Sequence, residues 1–528
     1  MPLVLEPSLL TKRQNPIRGV REKLFNGVPL DYNKPENGLQ SIIPVIKAPA
    51  AKGFPYKGTV MFNPGGPGAL GTEYLYKPKA VAKLRSRIIG DGWDIVSFDP
   101  RGFGYSVPFA SCGVNPRTIE LDRANATTST EKPKNRLPRR LNRRARRPVR
   151  FNFRNSTSNP SNAYDQSFGM NVARDPPSWK GSTLESALDL SSSCLNLTSQ
   201  YNQAGPHMNT VVVATDMLSI GKALAREKGE PEDNVMVNFY GISYGTVIGQ
   251  WFASLYPKNV GKIMLDGVVD SASWIAKREE NTTTLHVDEG WARFFPRCHQ
   301  AGPQNCSFAT GNSTEAIRDR FNIIMTKLDA TKYQQENNTA ASLVGDALSG
   351  TKEFILSSLY DPHDKWPILA DYLTAMEPLI APVDPNEWDA TGLMELLSSN
   401  STVKRKKNEK PVPRPALETL TESFLSSKIA CTKWPVRPAW EWFGPIGGET
   451  ATPILFAGNL LDPITPYENA RKATSLFKGA KMIYVDEVGH STLSTKNKCA
   501  FNHAINYFQE GKLPSANTRC KSEQQPFQ

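Results

Sequence analysis

The sequence predicts an α/β fold: a mostly parallel central sheet with helices on both faces, interrupted by an inserted helical cap. Three observations predict it. Short apolar runs lead directly into glycine-rich loops at residues 58–68, 93–106 and 235–245. Strand and helix patterns alternate between residues 209 and 266 and resume after residue 453. Between these blocks the pattern turns helical. Strands separated by helix-length segments call for parallel pairing, because a parallel crossover must travel back along the sheet.

The first strand candidate is 41–47, and a stronger one, 58–62, runs straight into Asn63-Pro-Gly-Gly-Pro-Gly68. A third, 93–98, leads into Asp99-Pro-Arg-Gly-Phe-Gly-Tyr-Ser106. Between residues 209 and 228, Val213, Met217, Ile220 and Leu224 recur at four, three and four positions, which lines one face of a helix. The strand at 235–240 is followed at once by Gly241-Ile-Ser-Tyr-Gly245, a helix at 246–256 and a strand at 262–266. After Ser271 long helical stretches dominate, among them 313–331 and 367–376, and strands return at 453–457 and 481–485. The expected organisation is therefore a core at 1–270 with a basic insert at 132–154, a helical cap at 271–420, and a second core segment at 421–528. Lys404-Arg-Lys-Lys407 with Pro411, Pro413 and Pro415 reads as an exposed loop near the end of the cap.

The formal charge of +12 is concentrated in one place. Of 63 Lys and Arg, 11 fall between Lys132 and Arg154, where there is no acid, and the remaining bases nearly balance the 51 acids. That tract has several prolines and no apolar periodicity, so it reads as a disordered basic loop and not as a groove-reading element. No nucleic-acid partner is expected. No window approaches the roughly 20 apolar residues that span a bilayer, so no membrane partner is expected either.

The seven cysteines show no CxxC pair and no zinc-ligand spacing, so no metal is expected. Cys298 with Cys306, and Cys499 with Cys520, are close enough in sequence to pair, and the odd count leaves at least one thiol unpaired within the chain. N-x-S/T sequons at Asn125, Asn155, Asn196, Asn281, Asn305, Asn312, Asn337 and Asn400 suit a secreted glycoprotein. Glu6, Pro7, Lys12 and Arg13 interrupt the apolar character that an export signal needs at the N-terminus, which points to an intracellular protein or a start lying further upstream.

Gly241-x-Ser243-x-Gly245 between an apolar strand and a helix is the context of a nucleophile elbow, which makes the fold an α/β-hydrolase and Ser243 its candidate nucleophile. A serine hydroxyl needs a base and a carboxylate to orient that base, and in this fold they follow in the order Ser, Asp or Glu, His, at the ends of late strands. His490, in Glu487-Val-Gly-His-Ser491 after the strand at 481–485, is the candidate base. Asp462, the acid of Ala457-Gly-Asn-Leu-Leu-Asp-Pro-Ile-Thr-Pro466, is the candidate orienting carboxylate. Asp486 and Glu487, on the histidine's own loop, are expected to face solvent. His207, His286, His299 and His363 are expected at the surface, and His503 on a following amphipathic helix. The Gly65 and Gly66 pair allows close backbone approach, so an amide there and the amide of Tyr244 are the candidate oxyanion donors.

These strings resemble tripeptidyl-aminopeptidase-like serine peptidases, relatives of prolyl aminopeptidases. The resemblance is carried in order by Val28-Pro-Leu-Asp-Tyr32, Asn63-Pro-Gly-Gly-Pro-Gly68, Asp99-Pro-Arg-Gly-Phe-Gly104, Tyr240-Gly-Ile-Ser-Tyr-Gly-Thr246, Leu265-Asp-Gly-Val-Val-Asp270, Cys431-Thr-Lys-Trp-Pro435 and Asp462-Pro-Ile-Thr-Pro466. It implies a secreted or exported exopeptidase acting on short peptides with a free N-terminus. It also implies cap carboxylates that recognise the substrate amine, for which Asp288 and Glu289 are the candidates. The basic tract at 132–154 has no counterpart in the resemblance.

The expected function is thus a serine exopeptidase working through an acyl-enzyme, with no cofactor and with short peptides or a small molecule as partner. Two alternatives are an esterase or amidase acting on a small metabolite, and an inactive or nucleic-acid-binding protein using the Arg-rich tract.

Overall fold

A computed structural model of the 528-residue chain describes residues 22–110, 204–276, 282–329, 338–382, 384–398, 436–515 and 517–528. Outside the described residues lie the basic tract at 132–154, the loop at 404–415, the 431–435 motif, Cys112, Cys194, Cys431, and the sequons at Asn125, Asn155, Asn196, Asn281, Asn337 and Asn400.

Among the described residues nine strands form one sheet: β1 (Glu22–Pro29), β2 (Gln40–Ala48), β3 (Gly58–Asn63), β4 (Trp93–Phe98), β5 (Val237–Ile242), β6 (Val260–Asp266), β7 (Leu455–Leu461), β8 (Lys481–Val488) and β9 (Thr518–Cys520), in the order β1-β2-β4-β3-β5-β6-β7-β8-β9. The β1/β2 and β2/β4 pairings are antiparallel. All the others are parallel. This order and sense are those of the α/β-hydrolase fold.

The central strands are apolar along their length because both faces are covered. On one face Met61, Phe239, Ile263, Leu265, Phe456 and Met482 pack with α3 (Thr210–Glu227), α4 (Tyr244–Leu255) and α12 (Tyr467–Leu476). On the other, Val60, Phe62, Tyr240, Met264, Leu455 and Ile483 pack with α1 (Gly71–Tyr76), α2 (Pro78–Leu84) and α13 (Lys498–Glu510). Successive residues alternate between the two clusters, as period-two side chains must.

The crossover from β3 leads to β4 on one side of it, whereas β5 pairs on its other side. The strand order thus reverses between β3 and β5, the switch point at which an open α/β sheet carries a crevice outside the carboxyl ends of its strands. Both glycine-rich motifs sit there.

A short α5 (Ser271–Ala276) follows β6, and then α6 (Val287–Ala292), α7 (Phe294–Asn305), α8 (Thr314–Lys327), α9 (Asn338–Tyr360), α10 (Pro362–Leu379) and α11 (Ala390–Ser398) form the helical insert. Its cluster, including Phe294, Phe308, Trp366, Leu369 and Leu393, also takes in Leu461, Ile464, Val488 and Phe527 from the hydrolase core. Cys298–Cys306 and Cys499–Cys520 form disulfides. Among the described residues no helix is long and apolar enough to cross a membrane.

Several expectations shift in detail. β5 runs two residues later than expected, and β7 and β8 are longer. α10 begins at Pro362, because proline is accommodated in a first helical turn, and it continues through Pro367 and Pro378. His207 and His363 are buried, not at the surface, and so is Glu487.

Candidate active site

Ser243 sits between β5 and α4 at φ 56°, ψ −125°, a conformation rarely adopted by side-chain-bearing residues. From Gly241 to Ala253 every residue except Ser243 is buried, so the turn pushes this one hydroxyl-bearing residue out of an otherwise enclosed segment. The flanking glycines are required by space. A Cβ on Gly241 would stand 2.5 Å from the Gly245 carbonyl oxygen, and one on Gly245 would stand 2.8 Å from the Asn63 carbonyl oxygen.

The loop after β3 is pressed against this turn. Gly65, at φ 99°, has room for no side chain: a Cβ would lie 2.6 Å from the Ile242 carbonyl and 2.8 Å from Ser243 Cβ. The Gly65 N–H already donates to Asn63 Oδ1 at 2.9 Å, in an Asx turn. That corrects the expectation that Gly65 offers its amide to an oxyanion. Gly66 is the remaining candidate donor on this loop. Tyr244 occupies the first position of α4, where the N–H has no partner within the helix.

His490 and Asp462 come together on the loops after β8 and β7. The imidazole Nδ1 lies 3.1 Å from each Asp462 oxygen. Asp462 is fully buried, and its carboxylate accepts the Ile464, Thr465 and Ser491 amides at 2.8–3.0 Å and the Thr465 hydroxyl at 2.9 Å. So many donors fix both the carboxylate and the ring that faces it.

The histidine loop and the elbow meet across Asp266 and Gly267. The Ser243 amide donates to the Asp266 carbonyl at 3.1 Å, and a Cβ on Gly267 would be 3.3 Å from His490 Cε1. The Asp266 carboxylate accepts from the Thr492 amide (2.8 Å), the Thr492 hydroxyl (2.7 Å) and the Tyr240 hydroxyl (2.9 Å). Burial pushes its carboxyl above the ordinary range, and the neighbouring charge of Asp462 adds to that.

Sequence reading missed several supporting residues. Asp266 closes an apolar strand, a signal that was present in the Leu265-to-Asp270 motif. Asn459, on β7, donates its side-chain amide to the Gly489 and Ser491 carbonyls at 2.8 and 2.7 Å, which pins the backbone on either side of His490. Nothing in its own segment marks it.

Asp288 and Glu289 are exposed on α6. α6 buries Val287 and Gly290, which turns the two acids outward, and Glu289 pairs with Arg293 at 3.2 Å and lies 3.8 Å from His286. Among the described residues, Cys499, His503 and Cys520 have ligand atoms within 4.8 Å of one another, but both sulfurs are held in the disulfide.

Fold and site together define a serine hydrolase of the α/β-hydrolase class. Residues 418–520 match a family model described as TAP-like protein. The chain is similar to a tripeptidyl aminopeptidase of Streptomyces lividans, 22% identical over 94% of this chain and 83% of that protein. It is also similar to serine protease Hip1 of Mycobacterium tuberculosis, 21% identical over 93% of this chain and 86% of the other, and to carboxylesterase B of the same species, 23% identical over 93% and 85%.

Proposed function

We propose that this serine hydrolase is an exopeptidase releasing short N-terminal fragments from peptides through an acyl-enzyme on Ser243. One observation carries the reading: Ser243 is the one half-buried residue in an otherwise buried strand-to-helix turn, and through Asp266 and Gly267 that turn meets the loop of a histidine fixed by a buried aspartate. In this mechanism His490 Nε2 takes the hydroxyl proton as Ser243 Oγ attacks the scissile carbonyl. Asp462 holds the Nδ1–H tautomer and stabilises the imidazolium. Charge developing on the carbonyl oxygen meets the amides of Tyr244 and Gly66. His490 then protonates the departing amine, and water repeats the sequence in reverse roles to free the acid.

The peptide substrate rests on relatives named tripeptidyl aminopeptidase and serine protease. A second reading, hydrolysis of a small ester, is favoured by the relative named carboxylesterase B. Residence in an oxidising compartment belongs to the proposal, supported by both disulfides and by the exposed sequon residues Asn305 and Asn312.

The test is a pair of assays on the full chain. A fluorophosphonate should label the wild type and leave Ser243→Ala unlabelled. Chromogenic tripeptide anilides should be cleaved with a free N-terminus and resist when that terminus is blocked. Turnover of simple esters with none of either peptide would replace the exopeptidase reading with the esterase one.

A further inference from the structure

The helical insert meets the histidine loop at the corner between α9 and α10. There the His490 amide donates to the Tyr360 carbonyl at 3.0 Å. The Tyr360 ring stands edge-on to the imidazole, with centroids 5.0 Å apart and planes at 68°. Three residues further on, His363 Nε2 lies 3.1 Å from Oε2 of Glu487, which is itself three residues before His490. Asp361, between them, reaches Lys83 of α2 at 3.8 Å. One four-residue corner thus grips the loop at its backbone, its imidazole and its approach strand.

The His363–Glu487 pair is a poor stability device. Its side chains are 2% and 5% exposed, and among the described residues neither His363 Nδ1 nor Glu487 Oε1 has a hydrogen-bond partner. Buried polar groups left half-satisfied are costly, and apolar side chains of similar volume commonly replace such pairs without loss of stability. What apolar side chains do not supply is a directional bond that sets the register between α10 and the end of β8.

We infer that the α9–α10 corner is a positioning element for His490, with Tyr360 and the His363–Glu487 pair holding the imidazole in line with Ser243. The inference rests on the proposed assignment of His490 as general base. On this view the insert contributes to the chemical step through the corner.

The test uses the full chain and a fluorophosphonate, whose reaction reports activation of Ser243 whatever the natural substrate. The variants are Tyr360→Leu, Glu487→Gln and the double change His363→Leu with Glu487→Met. The double variant should lose about 10- to 100-fold in kinact, as for a lost supporting or positioning contact, with KI within about threefold. Its melting temperature should fall by no more than about 3 °C, because an apolar pair replaces an under-satisfied one. Tyr360→Leu, half-buried and retaining its carbonyl, should also lower kinact without raising KI. Glu487→Gln preserves an acceptor for His363 and should label at least about tenfold faster than the double variant. Unchanged kinact in both the double variant and Tyr360→Leu overturns the inference, as does a rise in KI alone or a loss that merely follows melting. If the double variant does not fold, Tyr360→Leu decides. Labelling of Ser243→Ala would sink the reading of the site itself; a silent Ser243→Ala beside a fully active double variant and a fully active Tyr360→Leu would sink only this inference.

Discussion

Asp462 collects three backbone amides, the Thr465 hydroxyl and His490 Nδ1 around one buried carboxylate. Every one of these groups is a donor or can be one, so the site is complementary to an anion. Asp462→Asn should therefore lower turnover of a chromogenic substrate by about 10³- to 10⁴-fold, because the amide no longer enforces the Nδ1–H tautomer. A loss of tenfold or less would show that His490 is oriented by other means. Ser243, Asp462 and His490 could be found in the sequence because each follows an apolar run that reads as a strand. Asn459, Thr465 and Tyr360 could not be assigned roles in that way, and Asp266, although it closes an apolar strand, shows its role only in its contacts with Thr492 and Tyr240. Their contacts lie across the fold, and only the sheet order brings the loops after β6, β7 and β8 side by side. Gly65 shows the limit of a motif from the other direction: the glycine is needed for space, while its amide is already bonded to Asn63.

The loop after β4 shows how a segment with no catalytic group positions the crevice. Arg101 is buried and bidentate to Asp216 of α3 at 2.7 Å for both bonds, and it donates to the Pro29 and Leu30 carbonyls at the end of β1. Tyr32 donates to the same carboxylate at 2.7 Å. Arg101→Lys keeps the charge but loses the planar fork, leaving buried acceptors unpaired, and should cost about 3 kcal/mol in urea unfolding. Asp99 ties the loop to α1 through the Thr72 amide and hydroxyl at 3.0 and 2.9 Å. Burial raises its carboxyl to about 6. A carboxyl raised in the folded state binds its proton more tightly there than in the unfolded chain. Its stabilising contribution is therefore full below about pH 4 and is lost as pH rises through about 6. Relative to Asp99→Asn, the wild type should lose up to about 3 kcal/mol between pH 4 and 7, read as the trend in urea unfolding free energies. A flat difference would contradict the raised value. Strands β3 to β8 are apolar because both faces are covered, and so they stand out. β1, with Asn26-Gly27 inside it, and the three-residue β9 are edge strands whose pairing depends on a neighbour.

At the scale of the molecule, two bodies share one apolar cluster. Leu461, Ile464 and Val488 reach it from the strands and loops that carry Asp462 and His490, and Phe527 reaches it from the C-terminal tail. Phe527 is 8% exposed, with its ring centroid 5.9 Å from Phe294 and 6.4 Å from Trp366. The tail therefore fastens the insert to the hydrolase core from the side opposite in sequence to the α5 entry. Phe527→Ala should remove about 3–4 kcal/mol from that junction, the usual loss for truncating a buried phenylalanine. Because most of the shared cluster and the Cys298–Cys306 disulfide lie within the insert, the loss should appear as earlier loosening of the insert, before the sheet melts. On warming, limited proteolysis of Phe527→Ala should cut first within residues 287–398, at a temperature where wild type is intact. Fluorophosphonate labelling should fade at that same temperature while far-UV signal from the sheet persists, since the α9–α10 corner that bears on His490 belongs to the loosening body. Labelling that survives after the insert is cut would show that the crevice stands without it, and simultaneous loss of insert and sheet would show that the two bodies unfold as one.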